Sequence, residues 1–202
     1  MEARQAAPRP YRQVARAAAT DRLQQRIVEV FFDFMLTTYL DDITLDAVAA
    51  AAGTTRQTVI RMFGGKEKLV AVAWHSAKTR ILSTRVVPPK ATTAQIAQAL
   101  VKDYESTGDM LVRFLSQEDR YPDIGAMLNV GRNGHRTWIA ETFADHLDGL
   151  SDALRERRID QLVAVTDLYV WKLFRRDFGR DADDVADLIA GLVDKVLAER
   201  RP

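Results

Sequence analysis

Residues 45–62 read LDAVAAAAGTTRQTVIRM, two short helical patterns joined across one glycine. Helices of this length are marginal alone in water, so they must cross and pack on each other and on a neighbour. Thr44 is placed to cap the first, Leu45 to Ala52, and Gly53 to end it as a C′ residue. Thr55 is placed to cap the second, Arg56 to Met62, which Gly64-Gly65 stops. A small residue, Ala49, stands where the two helices would approach, and Gly53, tolerant of positive φ, follows four positions on. Val48, Ala52, Val59 and Met62 supply apolar packing, with Ile43 and Phe63 flanking. This is the pattern of a helix-turn-helix, whose outward face would carry Arg56, Gln57, Thr58, Ile60 and Arg61 into a major groove. Arg and Gln can pair bidentately with base edges, whereas Thr hydroxyls and helix N-termini suit phosphates. An ordinary helical hairpin with a polar outer face fits the same pattern.

The rest of the chain is also helical in period. Leu23, Ile27, Val30, Phe31 and Phe34 recur at helical spacing after an N-cap at Thr20 or Asp21. A fourth helix is expected from about Lys66 to Arg85, closed by Pro88-Pro89. Thr92 or Thr93 opens a segment to about Ser106, Asp109 one to about Ser116, and Pro122 a long one ending near Leu150. The glycines of Gly131-Arg132-Asn133-Gly134 are expected to kink or interrupt that long helix. Residues 159–178 and 183–200 form the last two, the former apolar over so wide an arc that it needs burial on two sides, by its own core and by a second subunit. With no strand-like alternation of useful length, the expected class is all-α.

Charge divides along the same line. The chain's 202 residues carry a net +1, but residues 1–90 hold +6 and residues 91–202 hold −5. A basic head on an acidic body suits a polyanion partner, and uneven solvated faces give the same arithmetic. The absence of cysteine excludes disulfides, thiolate zinc sites and a cysteine nucleophile, and is compatible with a reducing cytoplasm. No apolar run approaches the ~18 residues of a membrane span, and the N-terminus lacks the apolar core of a secretory signal, so a cytoplasmic chain without a membrane partner is expected.

Residues 20–70 resemble the DNA-binding head of the TetR family of transcriptional regulators. The resemblance lies in Ile27, Phe31, Phe32 and Phe34, then Ile43-Thr44 and Val48-Ala49, then Ala52-Gly53-Thr54-Thr55 and Thr58-Val59. Its most specific part is Phe63-Gly64-Gly65-Lys66-Glu67-Lys68-Leu69, and Thr166 to Leu173 is similar to the penultimate helix of many members. The resemblance implies a helix-turn-helix head on a larger helical body, with a basic, flexible arm at 1–19, the DNA-binding unit at 20–65, a connecting helix at 66–90 and a ligand-binding and dimerisation unit at 91–202. It implies that Thr44 and Lys66 hold phosphates, and that Thr55, Arg56, Gln57, Thr58 and Arg61 lie at the groove. Two positions depart from the pattern. Ile60 stands where a phosphate-binding tyrosine is usual, leaving apolar contact, for instance with a thymine methyl. Tyr39 stands where a helix-ending glycine is usual. The arm's Arg4, Arg9, Arg12 and Arg16 suit a minor groove.

By the same resemblance, the body holds an apolar effector cavity. Tyr104, Phe114, Met127, His135, Trp138 and Phe143 are the candidate lining, with Asn129 and Glu141 as further polar groups, although aromatics at helical spacing are also ordinary core. The expected protein is a regulator, a repressor released by a small apolar molecule, with duplex operator DNA and a second copy of itself as partners. A regulator without an effector, and a helical enzyme or ligand-binding protein whose hairpin does not bind DNA, are the alternatives. Catalysis has no support. Gly64-Gly65-Lys66 lacks the remaining residues of a phosphate loop, Gly131 to Gly134 matches a KH-type clamp without the required sheet, and His75, His135 and His146 have no metal-ligand spacing. No metal and no cofactor are expected.

Overall fold

A computed structural model describes residues 9–82 and 85–198, with side chains over 14–76 and 85–198. Among these residues all regular structure is helical. The helices are α1 (Arg9–Thr37), α2 (Leu45–Ala51), α3 (Arg56–Phe63), α4 (Lys66–Leu82), α5 (Thr93–Leu115), α6 (Pro122–Thr142), α7 (Ala144–Leu147), α8 (Asp152–Val165), α9 (Leu168–Lys172) and α10 (Ala182–Ala198), with a 3-10 turn at Leu40–Asp42 and a π turn at Leu173–Asp177.

Two hydrophobic clusters organise them. The first joins Ile27, Phe31 and Met35 of α1 to Val48, Ala49, Val59, Phe63, Leu69 and Ala73 of the next three helices. It continues into Met110 and Phe114 of α5 and Ile124, Met127 and Leu128 of α6, so the head is packed onto the lower body rather than tethered to it. The second cluster gathers the first half of α5, the second half of α6, and α8, α9 and α10 around Trp171, Tyr104, Ile139, Leu162 and Ile189.

Several element boundaries differ from the sequence reading. Helix α1 begins at Arg9, before the expected cap, and Thr20 lies inside it, its hydroxyl donating to Arg16 O at 2.9 Å. Residues 1–8 of the expected arm lie outside the described residues. The chain leaves α1 at Thr37, and Tyr39 is extended (φ −63°), so this turn needs no glycine. The two segments expected on either side of Gly108 are one helix. A Cβ at Gly108 would stand 2.5 Å from the Trp171 ring, so this glycine makes room for a tryptophan rather than ending a helix. Gly131 and Gly134 lie inside an unbroken α6, and the interruption comes at Phe143, buried in the second cluster. The penultimate helix starts at Asp152 and breaks at Thr166-Asp167, where the Asp167 side chain accepts the Tyr169 N–H at 2.9 Å and caps α9.

Candidate nucleic-acid interface

Thr44 caps α2, its Oγ1 accepting from Ala47 N–H at 3.1 Å, and Thr55 caps α3, accepting from Thr58 N–H at 3.2 Å. Between them Gly53 takes φ +68°, and Thr54 N–H closes the turn on Ala49 O at 2.9 Å. Ala49, Ala52 and Val59 are buried at the crossing, with Met62 half-buried against them. The packing residues are thereby consumed, and the other side of α3 is left to solvent. Arg56, Gln57 and Arg61 are exposed, Thr58 is half-buried, and Ile60 is 40% exposed. A hydroxyl that accepts a backbone N–H keeps its own hydrogen, so Thr44 retains a donor for an outside oxygen. Arg56 lies 3.8 Å from Asp46 in a pair so exposed that it holds neither side chain firmly.

Lys66 is differently engaged. Its Nζ donates to Leu40 O at 2.6 Å, Ile43 O at 3.1 Å and Asp41 O at 3.4 Å, which occupies all three ammonium hydrogens. These carbonyls belong to the 3-10 turn and its exit; Leu40 O also accepts the Ile43 N–H at 3.3 Å, while Lys66 supplies the donor for the oxygens of Asp41 and Ile43. Here the residue matched to a phosphate ligand works as a clamp on the turn that feeds α2. Asp41 in the same turn accepts from Arg120 Nη1 at 2.6 Å and from the Tyr121 hydroxyl, tying the head to the α5–α6 loop; the Tyr121 bond chiefly holds its carboxyl below the usual range. Arg113 Nη2 donates to Leu36 O across the same seam.

Behind the interface, where the chain passes from α4 to α5, a polar cluster is built into the body. Arg85 Nε donates to Asp103 Oδ2 at 2.5 Å and Nη1 to His135 Nδ1 at 3.0 Å, while the guanidinium lies 5.1 Å from the centroid of the Tyr104 ring and 5.7 Å from that of Trp138. A guanidinium has no acceptor, so His135 Nδ1 must carry the lone pair and Nε2 the proton. Nε2–H then donates to Thr166 Oγ1 at 3.0 Å, which donates in turn to Leu162 O at 2.7 Å. Burial, aided by the Arg85 charge, depresses the His135 pKa to about 3, so the ring is neutral. Tyr104 OH donates to Thr166 O at 3.0 Å, and burial pushes this phenol up. Trp138 Nε1 donates to Arg85 O at 3.2 Å. The break between α8 and α9 thus frees a carbonyl and a hydroxyl that α5 and α6 satisfy.

Of the expected effector-lining residues, the structure brings together Tyr104, His135 and Trp138 at this cluster. Phe143 is 1% exposed in the body core, and Phe114 and Met127 are buried in the head-side core. Asn129 and Glu141 are exposed, Asn129 accepting from Arg132 at 2.9 Å. Two surface grooves, of about 320 Å³ between α1 and α4 and about 240 Å³ between α5 and α10, are lined by other residues. Sequence reasoning missed Arg85, Asp103 and Thr166. Asp103 carried a signal, since it sits on the apolar stripe of α5 with Ile96, Leu100 and Tyr104. Arg85 carried none, because it lies in an irregular connection. Among the described residues no group of His, Asp and Glu is arranged to hold a metal ion, and no helix is long and apolar enough to cross a membrane.

The fold has solved counterparts. A transcriptional regulator from Rhodococcus sp. Rha1 superposes with a TM-score of 0.67 at 16% identity, over 86% of this chain and 95% of that one. A putative TetR-family transcriptional regulator from Mesorhizobium loti MAFF303099 gives a TM-score of 0.66 at 16% identity, over 89% of this chain and 96% of that one. No family model and no curated protein sequence matches the chain.

Proposed function

We propose that the chain is a TetR-like DNA-binding transcriptional regulator, working as a two-fold dimer and repressing until a small effector binds. The observation that carries this reading is the outward face of α3, where Arg56, Gln57, Ile60 and Arg61 are exposed on a helix whose other side is locked by buried Ala49 and Val59. Arg and Gln are suited to base edges, and Ile60 to a thymine methyl. The whole-chain likeness to two transcriptional regulators supports the same reading. Selection of binding sites from random duplex DNA tests it: a recovered palindrome bound with a steep salt dependence is expected, and binding no tighter than to random DNA overturns it.

Dimerisation is supported by apolar surface left on the last helices. Tyr169 is 59% exposed, Leu173 40% and Phe178 62%. Val170, in contrast, is half-buried against the body core, so the seam is assigned to its neighbours. A two-fold axis would set the two α3 helices about 34–36 Å apart, or somewhat more, for successive major grooves.

The effector's place is assigned to the Tyr104, His135 and Trp138 surround. An effector must favour the DNA-free form, with a coupling of typically ~1–3 kcal/mol between the sites, and α4 is the element that joins them. A thermal-shift screen with Trp138→Ala beside the wild type tests this, a melting rise lost in the variant being the expected result. The dispersal of Phe114, Met127 and Phe143 into packed cores favours a second reading, a regulator with no effector, which a screen without hits would support.

A further inference from the structure

Helix α1 is longer than the head needs. Among its described side chains the first packed one is Leu23 and the first fully buried one is Ile27, yet the helical backbone runs back to Arg9. From Val14, 68% exposed, to Arg22, nearly every side chain faces water. The extension therefore gains little from burial, and its polar pattern is the informative part.

That pattern is one-sided. Arg16, Arg22 and Arg26 are exposed and in no ion pair among the described residues. At 100° per residue they span an arc of about 120° on the helix. Asp21, the one acid between residues 9 and 28, lies on the opposite side, where it lines the groove toward α4 with Gln24, Gln25 and Val28. Two further arginines, Arg9 and Arg12, occur along the same helix. The arc leads to the recognition unit: Arg26 Nη1 lies 3.9 Å from the point where a Cβ would stand on Gly53, over the turn that enters α3.

Resting on the DNA-binding reading, we infer that the arginine face of α1 binds the phosphate backbone of duplex DNA outside the segment read by α3. Charge complementarity and continuity with the recognition surface select this partner. Guanidinium groups in no ion pair among the described residues are available to phosphate oxygens, the nearest exposed acids on this side, Glu29 and Asp33, standing toward the C-terminal end of the row, and a helix of fixed direction holds the arginines along the flank. The contact carries no base identity, so it lengthens the footprint and steepens the salt dependence without changing the selected sequence.

The test uses the full chain, wild type and Arg16→Gln/Arg22→Gln/Arg26→Gln, with fluorescence anisotropy on the selected site carried in a long duplex and in one trimmed to the core. On the long duplex the wild type should lose about 40-fold more affinity than the variant between 50 and 200 mM salt, the slope difference expected for three phosphate contacts. On the trimmed duplex the two should converge, and both proteins should select the same core sequence and show the same melting curve. Equal affinity and slope on the long duplex, with wild-type binding intact, overturns the α1 contact alone. A wild type that binds no duplex at all overturns the DNA-binding reading and this inference with it.

Discussion

Arg85 and Asp103 form an ion pair whose carboxylate side chain is 1% exposed and whose guanidinium side chain is 13% exposed, joining the connection after α4 to the middle of α5. Breaking such a pair leaves a charge buried, whereas removing both ends can be nearly neutral. Arg85→Met is expected to cost about 3–5 kcal/mol, and Arg85→Met/Asp103→Leu to recover most of it. Urea unfolding of the wild type, Arg85→Met, Asp103→Leu and the double variant measures the coupling, and additive losses would contradict a joint held by the pair.

His135 supplies a pH signature. Its folded pKa, about 3, is depressed below the ordinary 6.5, so the unfolded chain binds the proton first. Stability should be intact above that ordinary value and should fall as pH drops through the window from about 6.5 to about 3, by up to ~1.4 kcal/mol per pH unit. In His135→Gln this slope should flatten. Denaturant midpoints collected at intervals across the window decide it, an unchanged slope in the variant counting against a neutral buried ring.

Gly108→Ala probes the packing of α5 on α9. The added methyl would stand 2.5 Å from Trp171, whose Nε1 is held by Glu105 Oε1 at 2.8 Å, so the ring cannot withdraw freely. Despite the better helix propensity of alanine, a net loss of about 1–3 kcal/mol is expected from overpacking. Calorimetry that finds the variant more stable would mean that the ring yields.

On DNA, Arg56→Ala and Arg61→Ala should each weaken the specific complex by about 1–3 kcal/mol and relax one base position, while leaving the melting curve nearly unchanged. Lys66→Ala should differ in kind. With the Asp41 and Ile43 carbonyls losing their donor and Leu40 O left with only the Ile43 N–H, it should lower the melting temperature as well as the affinity for every sequence. Gel-shift titrations paired with melting curves separate the two behaviours, and full affinity in all three variants would remove the helix-turn-helix assignment.

The proposed dimer seam is addressed by Tyr169→Glu/Leu173→Glu, which places two charges on exposed apolar sites four residues apart. Light scattering at micromolar concentration should give twice the chain mass for the wild type and the chain mass for the variant. A monomeric wild type would contradict the dimer.

The local grammar of the head was legible because it is written in short-range chemistry. Thr44 and Thr55 cap, Gly53 and Gly64 take positive φ, and Val48 and Val59 point inward, all as their spacing demands. The body was less legible because long-range contacts decide it. The stretch from Ser106 to Asp109 reads as a gap between two helices until Trp171 is seen lying on Gly108, and Gly131 and Gly134 read as breakers although α6 runs through them. The Thr166-Asp167 break is held by Tyr104 and His135, 62 and 31 residues away, and Arg85 gains its partners only when α5 and α6 meet. The polar cluster is assembled by tertiary structure, and only Asp103, a charge on an apolar stripe, betrays it in sequence.

The grip of Lys66 on the carbonyls of Leu40, Asp41 and Ile43 has a mechanical consequence. The first residue of α4 grasps the short piece of chain that delivers Thr44 and the start of α2. A tilt of α4 would therefore pull on the turn and α2 directly and, through the buried crossing at Ala49 and Val59, on α3. Under the proposed reading, what such a tilt would deliver to a DNA groove is a change in the angle and spacing of intact reading heads, not a loosening of either one.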